Sequence, residues 1–414
     1  MEPTGINRGV CECNRNISST SRNIRLEIWN VQQQGLEVKI YDNESKTLVS
    51  EGIYENGKLT LSGVQGDWNF QASLSSADCC FDGNDVEGFH WHGVKWADDD
   101  EGCGTGWTVW KEDLIEQLEA DSSLVQTAKG LIEYRIIGDD GPVLLVFHGG
   151  QGGYDEVYAF MAGLIGKGFR MLTWSRPGYL RTPLDVGLSP AEQADAAAAL
   201  LDALDIDRVG IIGASAGGPP LYEFTLRYPQ RIWALAPVAA VNQTYAAKND
   251  DPVVASIGYL FTNDGGMWIF NSMLEYAFEA TTRMLLASNS TLDEQTFDVW
   301  IDHIMADPER RELIWTAVRS FGPSLSRVEG YANDLEYDAE LGYMPLGGIT
   351  TPTLIVHGTN DGDVDPKHAR YAHDAISDSQ IYWVSDGTHL LMLSDESENM
   401  FSRILEFFNA HKPN

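Results

Sequence analysis

Cysteine is missing from most of this chain. Of 414 residues five are cysteine, Cys11, Cys13, Cys79, Cys80 and Cys103, and none follows. An odd count with two adjacent is a poor disulfide framework, although two bridges inside that N-terminal stretch remain open. Cys11-x-Cys13 also lacks the usual spacing of a zinc site. Basic residues are scarce as well: 28 Lys and Arg face 61 Asp and Glu, a formal net charge of −33. A negative field of that size repels nucleic acid and anionic membranes, so binding to either is not expected. It fits a soluble acidic enzyme, or a high-salt habitat in which screening tolerates the self-repulsion. Long apolar runs are absent too. No stretch of about 18 apolar residues occurs, so no membrane-spanning helix is expected. The opening Met1-Glu-Pro-Thr-Gly-Ile-Asn-Arg8 lacks the charged-then-apolar pattern of a secretory leader, which predicts a cytoplasmic location. Four Asn-x-Ser/Thr sequons, at Asn16, Asn43, Asn242 and Asn289, matter only in a secreted chain.

What is present suffices for a large core: 43% of residues are hydrophobic and 10% aromatic. The length predicts two or three units at roughly 100–200 residues each. Residues 1–120 read as an N-terminal β-rich module with a linker. Val31 to Tyr41 alternates partly with period two, Asp42-Asn-Glu-Ser45 and Glu55-Asn-Gly-Lys58 read as hairpin turns, and the module covers about 22–97. Asp98 to Gly106 is acidic and glycine-rich, hence linker, and a short helix over Lys111–Ala120 follows. From there the pattern changes. Val125-Gln-Thr and Leu131 to Ile136 form an expected hairpin. Val143–Phe147, Arg170–Trp174, the run into Ser215, Ile232–Val241, Thr353–His357 and Ile381–Val384 read as buried strands. Helices are expected between them, over 155–167, from Ser189-Pro-Ala-Glu192 (a capping box with proline at the first helical position) to Leu204, up to Tyr228, and over 395–408. Such alternation predicts an α/β fold with a mostly parallel sheet covered on both faces, built from 121–242 and 349–414. Residues 243–348 carry no buried strand. Their helical patterns rich in Tyr, Phe, Trp and Met, as in Tyr259-Leu-Phe261 and Met267 to Met273, predict a helical lid inserted into the core. Trp268, Phe270 and Met273 are its candidate substrate contacts, and together the aromatics point to an apolar acyl or aromatic pocket.

The chemistry centres on Gly213-Ala-Ser215-Ala-Gly217, reached directly from an apolar strand. This is the G-x-S-x-G pattern of a nucleophile elbow, where a tight strand-to-helix turn lifts the hydroxyl clear of the sheet and small neighbours avoid clashes. Serine alone is a poor nucleophile and needs a histidine base oriented by a carboxylate. The order expected for such a site is serine, acid, histidine. His389, in Ser385-Asp-Gly-Thr-His389, follows a strand and a glycine turn. The acid lies in His357-Gly-Thr-Asn-Asp361-Gly-Asp363-Val-Asp365-Pro366, with Asp361 favoured over Asp363 and Asp365. Two N–H donors are needed for an oxyanion, and Ala216 and Gly150 of His148-Gly-Gly-Gln-Gly-Gly153 are the candidates. His148 reads as a structural loop residue. That glycine run lacks the Lys-Ser/Thr of a phosphate-binding loop.

The stretch from about Ser123 to the C-terminus resembles the α/β-hydrolase-fold enzymes. The carrying motifs are His148-Gly-Gly-Gln-Gly-Gly153, Ser175-Arg-Pro-Gly-Tyr179, Gly213-Ala-Ser-Ala-Gly217, His357-Gly-Thr-Asn-Asp361 and Gly387-Thr-His389. Within that fold the chain is similar to the lidded esterase and proline-iminopeptidase-like branch. The resemblance implies Ser215 as nucleophile, Asp361 as acid, His389 as base, and no cofactor. Gln151 stands where the iminopeptidases usually have proline, and Ala214 where they have a bulky aromatic, which counts against a peptidase. Dehalogenases and epoxide hydrolases of this fold use an aspartate nucleophile, so Ser215 argues against both. The expected activity is hydrolysis of a small carboxylic ester through an acyl-enzyme. Its rivals are an aminopeptidase, for which Glu275 and Glu279 are candidate α-amine holders, a carbon–carbon bond hydrolase, and a binding protein with a vestigial core. The first 120 residues carry none of these motifs. His90 and His92 in Phe89-His-Trp-His92 would share one strand face, and Cys79, Cys80 and Cys103 could join them around a metal, but ordinary strand histidines are the simpler reading and no metal is assigned.

Overall fold

The computed structural model describes residues 110–245 and 263–413 with their side chains; before residue 110 it describes eight strands and the start of a helix as backbone. The chain divides into two units, Met1–Glu112 and Asp113–Asn414. In the first, β1 (Arg8–Asn14), β2 (Asn23–Val31), β3 (Gly35–Asp42), β4 (Leu48–Glu55) and β5 (Lys58–Gly63) pair in order as an antiparallel meander. A second meander joins β6 (Phe70–Ser75), β7 (Cys80–Asp85) and β8 (His90–Val94). Glu55 pairs with Lys58, as the Asn-Gly turn between them predicts. The strands begin at Arg8, ahead of the expected residue 22. Arg8-Gly-Val-Cys-Glu-Cys-Asn14 has too few apolar residues to alternate, and its pairing with β2 defines it instead. Residues 98–105, and the side chains of all five cysteines, His90 and His92, lie outside the described residues.

Helix α1 (Gly106–Asp121) starts before the expected Lys111. The second unit is built on an eight-stranded sheet. Its strands are β9 (Ser123–Gln126), β10 (Leu131–Ile137), β11 (Val143–Phe147), β12 (Arg170–Trp174), β13 (Val209–Ala214), β14 (Ile232–Val238), β15 (Thr353–Gly358) and β16 (Ser379–Val384), in the order β16-β15-β14-β13-β11-β12-β10-β9. The β9–β10 hairpin and the β10–β12 pair are antiparallel, and the rest are parallel. Every residue of β11, β13, β14 and β15 is buried, the mark of central strands covered on both faces.

Between β11 and β12 the expected helix over 155–167 is broken. Two single 3₁₀ turns, Tyr154–Glu156 and Ala162–Leu164, flank the four-residue α2 (Val157–Phe160). Met161 leaves helical geometry at φ −121°, and the glycines at 163, 166 and 168 favour no continuation. Helix α3 (Pro190–Ala203) has its capping box: the Glu192 N–H donates to Ser189 Oγ, and the Ser189 N–H donates back to the Glu192 carboxylate. Its alanines lie flat on the sheet, so Ala194 and Ala196–Ala199 are buried. Helix α4 (Gly218–Arg227) continues from the turn at Ser215. Strand β14 stops short of the expected Val241 because Ala239 turns to φ +46°.

Five helices separate β14 from β15 among the described residues: α5 (Asp264–Tyr276), α6 (Phe278–Ala287), α7 (Glu294–Ala306), α8 (Pro308–Arg319) and α9 (Val328–Glu340). Asn263, Asp293 and Asp307 cap three of them by accepting first-turn N–H groups. Tyr259-Leu-Phe261 lies outside the described residues. Two buried ion pairs tie these helices to the sheet's loops: Arg327 to Asp155, with both contacts at 2.9 Å, and Arg176 to Asp334, at 2.9 and 2.6 Å. Helices α10 (Lys367–Ala375) and α11 (Ser397–His411) complete the unit. No described helix is long and apolar enough to cross a membrane.

Candidate active site

Strand β13 drives straight into Ser215, whose φ of +52° places a non-glycine residue in the left-handed region. Such a conformation costs on the order of 1–3 kcal/mol and persists only where the surroundings impose it. Here they do. A β-carbon on Gly213 would lie 2.7 Å from Leu221 Cδ1, and one on Gly217 2.5 Å from the His148 carbonyl oxygen, so neither position admits a side chain. The Val241 N–H closes the turn by donating to the Ser215 carbonyl at 3.0 Å.

The acid and the base come from the ends of β15 and β16. Asp361 is 2% exposed. Its Oδ1 accepts the Asp363 and Val364 N–H groups, each at 2.9 Å, and its Oδ2 accepts from His389 Nδ1 at 2.9 Å. Burial pushes the Asp361 carboxyl up, but the neighbouring His389 and its hydrogen bond outweigh that and hold it below the usual value. Burial alone would lower the His389 pKa; the carboxylate of Asp361, then that of Asp363, overcome this and raise it to about 9. The geometry separates the three aspartates of the loop. Asp365 accepts the Lys367 N–H at the start of α10, whereas Asp363 takes the Tyr245 hydroxyl at 2.6 Å and lies 3.5 Å from His389 Nε2. Only Asp361 meets His389 Nδ1. The loop after α6 clamps both: the Asn289 carbonyl accepts the Gly362 and His389 N–H groups, each at 3.1 Å.

Ser215 and His389 open on one cavity of about 240 Å³, with no hydrogen bond between them. Gly150 and Ala216 line the same space. The Gly149 N–H is taken by the Glu156 carboxylate at 3.1 and 3.0 Å and is not free to serve an oxyanion, whereas the Gly150 N–H has no acceptor among the described residues. Ala216 lies in the first turn after the serine, where N–H groups have no intrahelical acceptor. His148 is the structural residue its context predicts. It is buried, its Nδ1 donates to the Gly149 carbonyl at 2.8 Å, and its Nε2 accepts the Arg176 N–H at 2.9 Å. Burial, then Arg176, holds its pKa well below the ordinary value, so it stays neutral.

The remaining wall differs from expectation. Trp268, Phe270 and Met273 do not line the cavity; Met267, Phe270 and Leu274 form the buried stripe of α5, and Phe270 is fully enclosed. Aromatic content alone could not tell a helix's packing stripe from a pocket wall. Glu275 and Glu279 are exposed, and Glu279 pairs with Arg283 at 3.1 Å. Met400, Phe401 and Ile404 of α11 supply apolar lining. Of the helices between β14 and β15, α6 adds Leu285 and α9 faces the cavity most, through Tyr331, Asp334, Leu335 and Asp338. Their spacing of i, i+3, i+4 and i+7 is the one sequence signal that could have found them. Four carboxylates line the cavity, Glu156, Asp334, Asp338 and Asp363, and no Lys or Arg does among the described residues. Burial raises Glu156 to about 7, against the two Gly149 contacts, and burial with Asp334 raises Asp338 to about 8. The Asn242 sequon is closed to glycosylation, since that side chain is fully buried.

A nucleophile-type turn beside an acid–histidine pair, on the C-terminal edge of a mostly parallel sheet, defines a class of hydrolase. Residues 142–396 match the alpha/beta hydrolase fold family, and the chain belongs to it. The uncharacterized hydrolase YcgS of Bacillus subtilis is 30% identical over 283 residues, which cover 68% of this chain and 96% of that protein. The 2-hydroxy-6-oxo-6-phenylhexa-2,4-dienoate hydrolase of Burkholderia cepacia is 32% identical over 268 residues, 61% of this chain and 84% of its own. Among solved structures, the alpha/beta hydrolase fold protein from Nakamurella multipartita superposes with a TM-score of 0.65 at 33% identity, over 70% of this chain and all of that one.

Proposed function

We propose that this hydrolase cleaves a small carboxylic ester through an acyl-enzyme, with Ser215 as nucleophile, His389 as base and Asp361 as the orienting acid. The observation that carries the reading is the strained φ of Ser215 on the cavity that His389 enters, with Asp361 buried behind it at 2.9 Å. In this mechanism neutral His389 accepts the Ser215 proton at Nε2 as Oγ bonds to the substrate carbonyl carbon. Gly150 and Ala216 N–H groups hold the oxyanion, and each such donor contributes roughly 3–4 kcal/mol in sites of this kind. Collapse breaks the ester C–O bond, and the imidazolium returns its proton to the leaving alcohol. Water, deprotonated by His389, then releases the acid. The inserted helices act as a lid over this site, α9 forming its inner face. No cofactor enters any step.

The relative from Burkholderia favours a second reading, hydrolysis of a 2-hydroxy-6-oxo dienoate. A dienoate carries a carboxylate, and the described cavity wall offers it four acidic side chains and no Lys or Arg, which favours the ester. A fluorophosphonate probe tests the nucleophile. Native protein should be labelled and Ser215→Ala not; equal labelling of the two would sink the reading. Turnover of aryl esters against 2-hydroxy-6-oxo dienoates then separates the two reactions.

A further inference from the structure

Three of the four carboxylates on the cavity wall have partners. Asp334 is held by Arg176 and by the Tyr179 hydroxyl at 2.5 Å. Glu156 accepts the Gly149 N–H with both oxygens. Asp363 takes the Tyr245 hydroxyl and faces His389. Asp338 is the exception. Its residue is 2% exposed, it lines the cavity, and its buried Oδ2 meets no hydrogen-bond partner. A buried carboxylate without a partner is costly, and native proteins rarely leave one so. Holding the proton meets that cost: burial and Asp334 raise its pKa to about 8.

The surroundings say what would complete it. Tyr245 touches both residues, its N–H donating to the Asp338 backbone carbonyl at 2.9 Å and its hydroxyl to the Asp363 carboxylate at 2.6 Å. Tyr331, two helical turns before Asp338 on the same face of α9, lines the same cavity and stands over the oxyanion loop, its ring within 3.0 Å of a β-carbon placed on Gly150. A single unpartnered carboxylate on a cavity that also shows Tyr245 and Tyr331 is a poor cage for a metal ion, which wants several oxygen ligands. It suits an organic ammonium, which combines one charge-assisted hydrogen bond with contact to aromatic faces. We propose that Asp338, on the cavity it shares with Tyr245, Tyr331 and Asp363, is an ammonium-binding subsite, so that the substrate carries a primary amine as well as its scissile carbonyl. This rests on the hydrolase reading for its substrate, but the subsite itself can be tested without turnover.

The test is calorimetric titration of the full-length Ser215→Ala protein with n-butylammonium, n-butanol and butyrate at equal ionic strength. These share a carbon chain and differ in charge. Butylammonium should bind about tenfold more tightly than either of the others. Asp338→Asn in the same background should remove that preference, and Asp363→Asn should weaken it less. Equal binding of butanol, tighter binding of butyrate, no heat from any of the three, or a preference that survives Asp338→Asn would each overturn the proposal. Should Asp338→Asn fail to fold, the ranking of the three ligands on the parent protein still decides. Because Ser215 is absent from this experiment, failure here leaves the fluorophosphonate result untouched, and the reverse holds too.

Discussion

Two of the cavity's walls are unlike. One is made of strand ends, Ser215 after β13 and His389 after β16, with Asp361 after β15 buried behind the histidine, each held by backbone hydrogen bonds and tight turns. The other is a helix face, α9, with Tyr331, Asp334, Leu335 and Asp338, tied to its surroundings by the Arg176–Asp334 pair, the Tyr179 hydroxyl and the Gly330 N–H to the Gly178 carbonyl. The first wall has its geometry imposed by the sheet, and little about it can vary. The second belongs to the segment between β14 and β15, which two buried ion pairs tie to the sheet's loops, and it carries two of the cavity's four carboxylates. On the function proposed above, reaction type and substrate choice fall to structurally separate parts.

The largest expected effect tests the first wall. On the ester that the native protein turns over best, Ser215→Ala should lower kcat by a factor on the order of 10⁴–10⁶, judged from comparable serine sites. Ser215→Gly should be equally inactive yet more stable, by about 1 kcal/mol, because glycine accepts the φ of +52° without strain. A Ser215→Gly protein no more stable than Ser215→Ala would mean that the turn is not strained. Next comes Asp361→Asn, which leaves the packing intact but favours the wrong imidazole tautomer. A loss of about 10⁴ in kcat is expected, with little change in KM. A loss no larger than that of Asp363→Asn would reverse the assignment of the two aspartates.

The contrast between the walls also explains what the sequence could reveal. Glycines two residues either side of Ser215, and the Asp-Gly and Gly-Thr pairs at strand ends, are local turn signals that survive in one dimension. So Ser215, Asp361, His389 and the glycine loop at 148–153 were readable together, as was the sheet that carries them. The helix wall has no such signature. Phe270 and Tyr331 look equally aromatic in sequence, and only the packing of α5 against its neighbours turns one inward and leaves the other on the cavity. The broken helix at 155–167 is a similar case. There, Glu156 is spent on the Gly149 N–H and Asp155 on Arg327, contacts that no periodicity encodes.

Anchoring of the second wall gives a mid-sized effect. Arg327 is 1% exposed and reaches Asp155 with two hydrogen bonds. Arg327→Met strands a buried carboxylate and should cost about 3–5 kcal/mol in urea unfolding. The double variant Arg327→Met with Asp155→Leu should recover most of that loss. If the single variant costs less than about 1 kcal/mol, the insertion is held by something else.

The smallest effect lies where the walls meet, at Asp363. His389 can act as base only when neutral, yet Asp361 and Asp363 raise its pKa to about 9. On a neutral ester, kcat/KM should therefore climb with pH toward about 9 before levelling. Asp363 is the part of that stabilisation the triad does not need, because it sits 3.5 Å from Nε2, the nitrogen that must take the serine proton. Asp363→Asn should move the limb to lower pH and raise activity at pH 7 by up to about tenfold. Stability should change with the opposite sign. A histidine whose folded pKa lies above its unfolded value of about 6.5 stabilises the fold fully below that value and loses the contribution as pH rises through about 9. Native protein should thus lose stability between those limits, and Asp363→Asn should lose less. If the limb stays in place while the variant folds normally, Asp363 does not act on His389, and its role reduces to its bond with Tyr245 and to the substrate's charge.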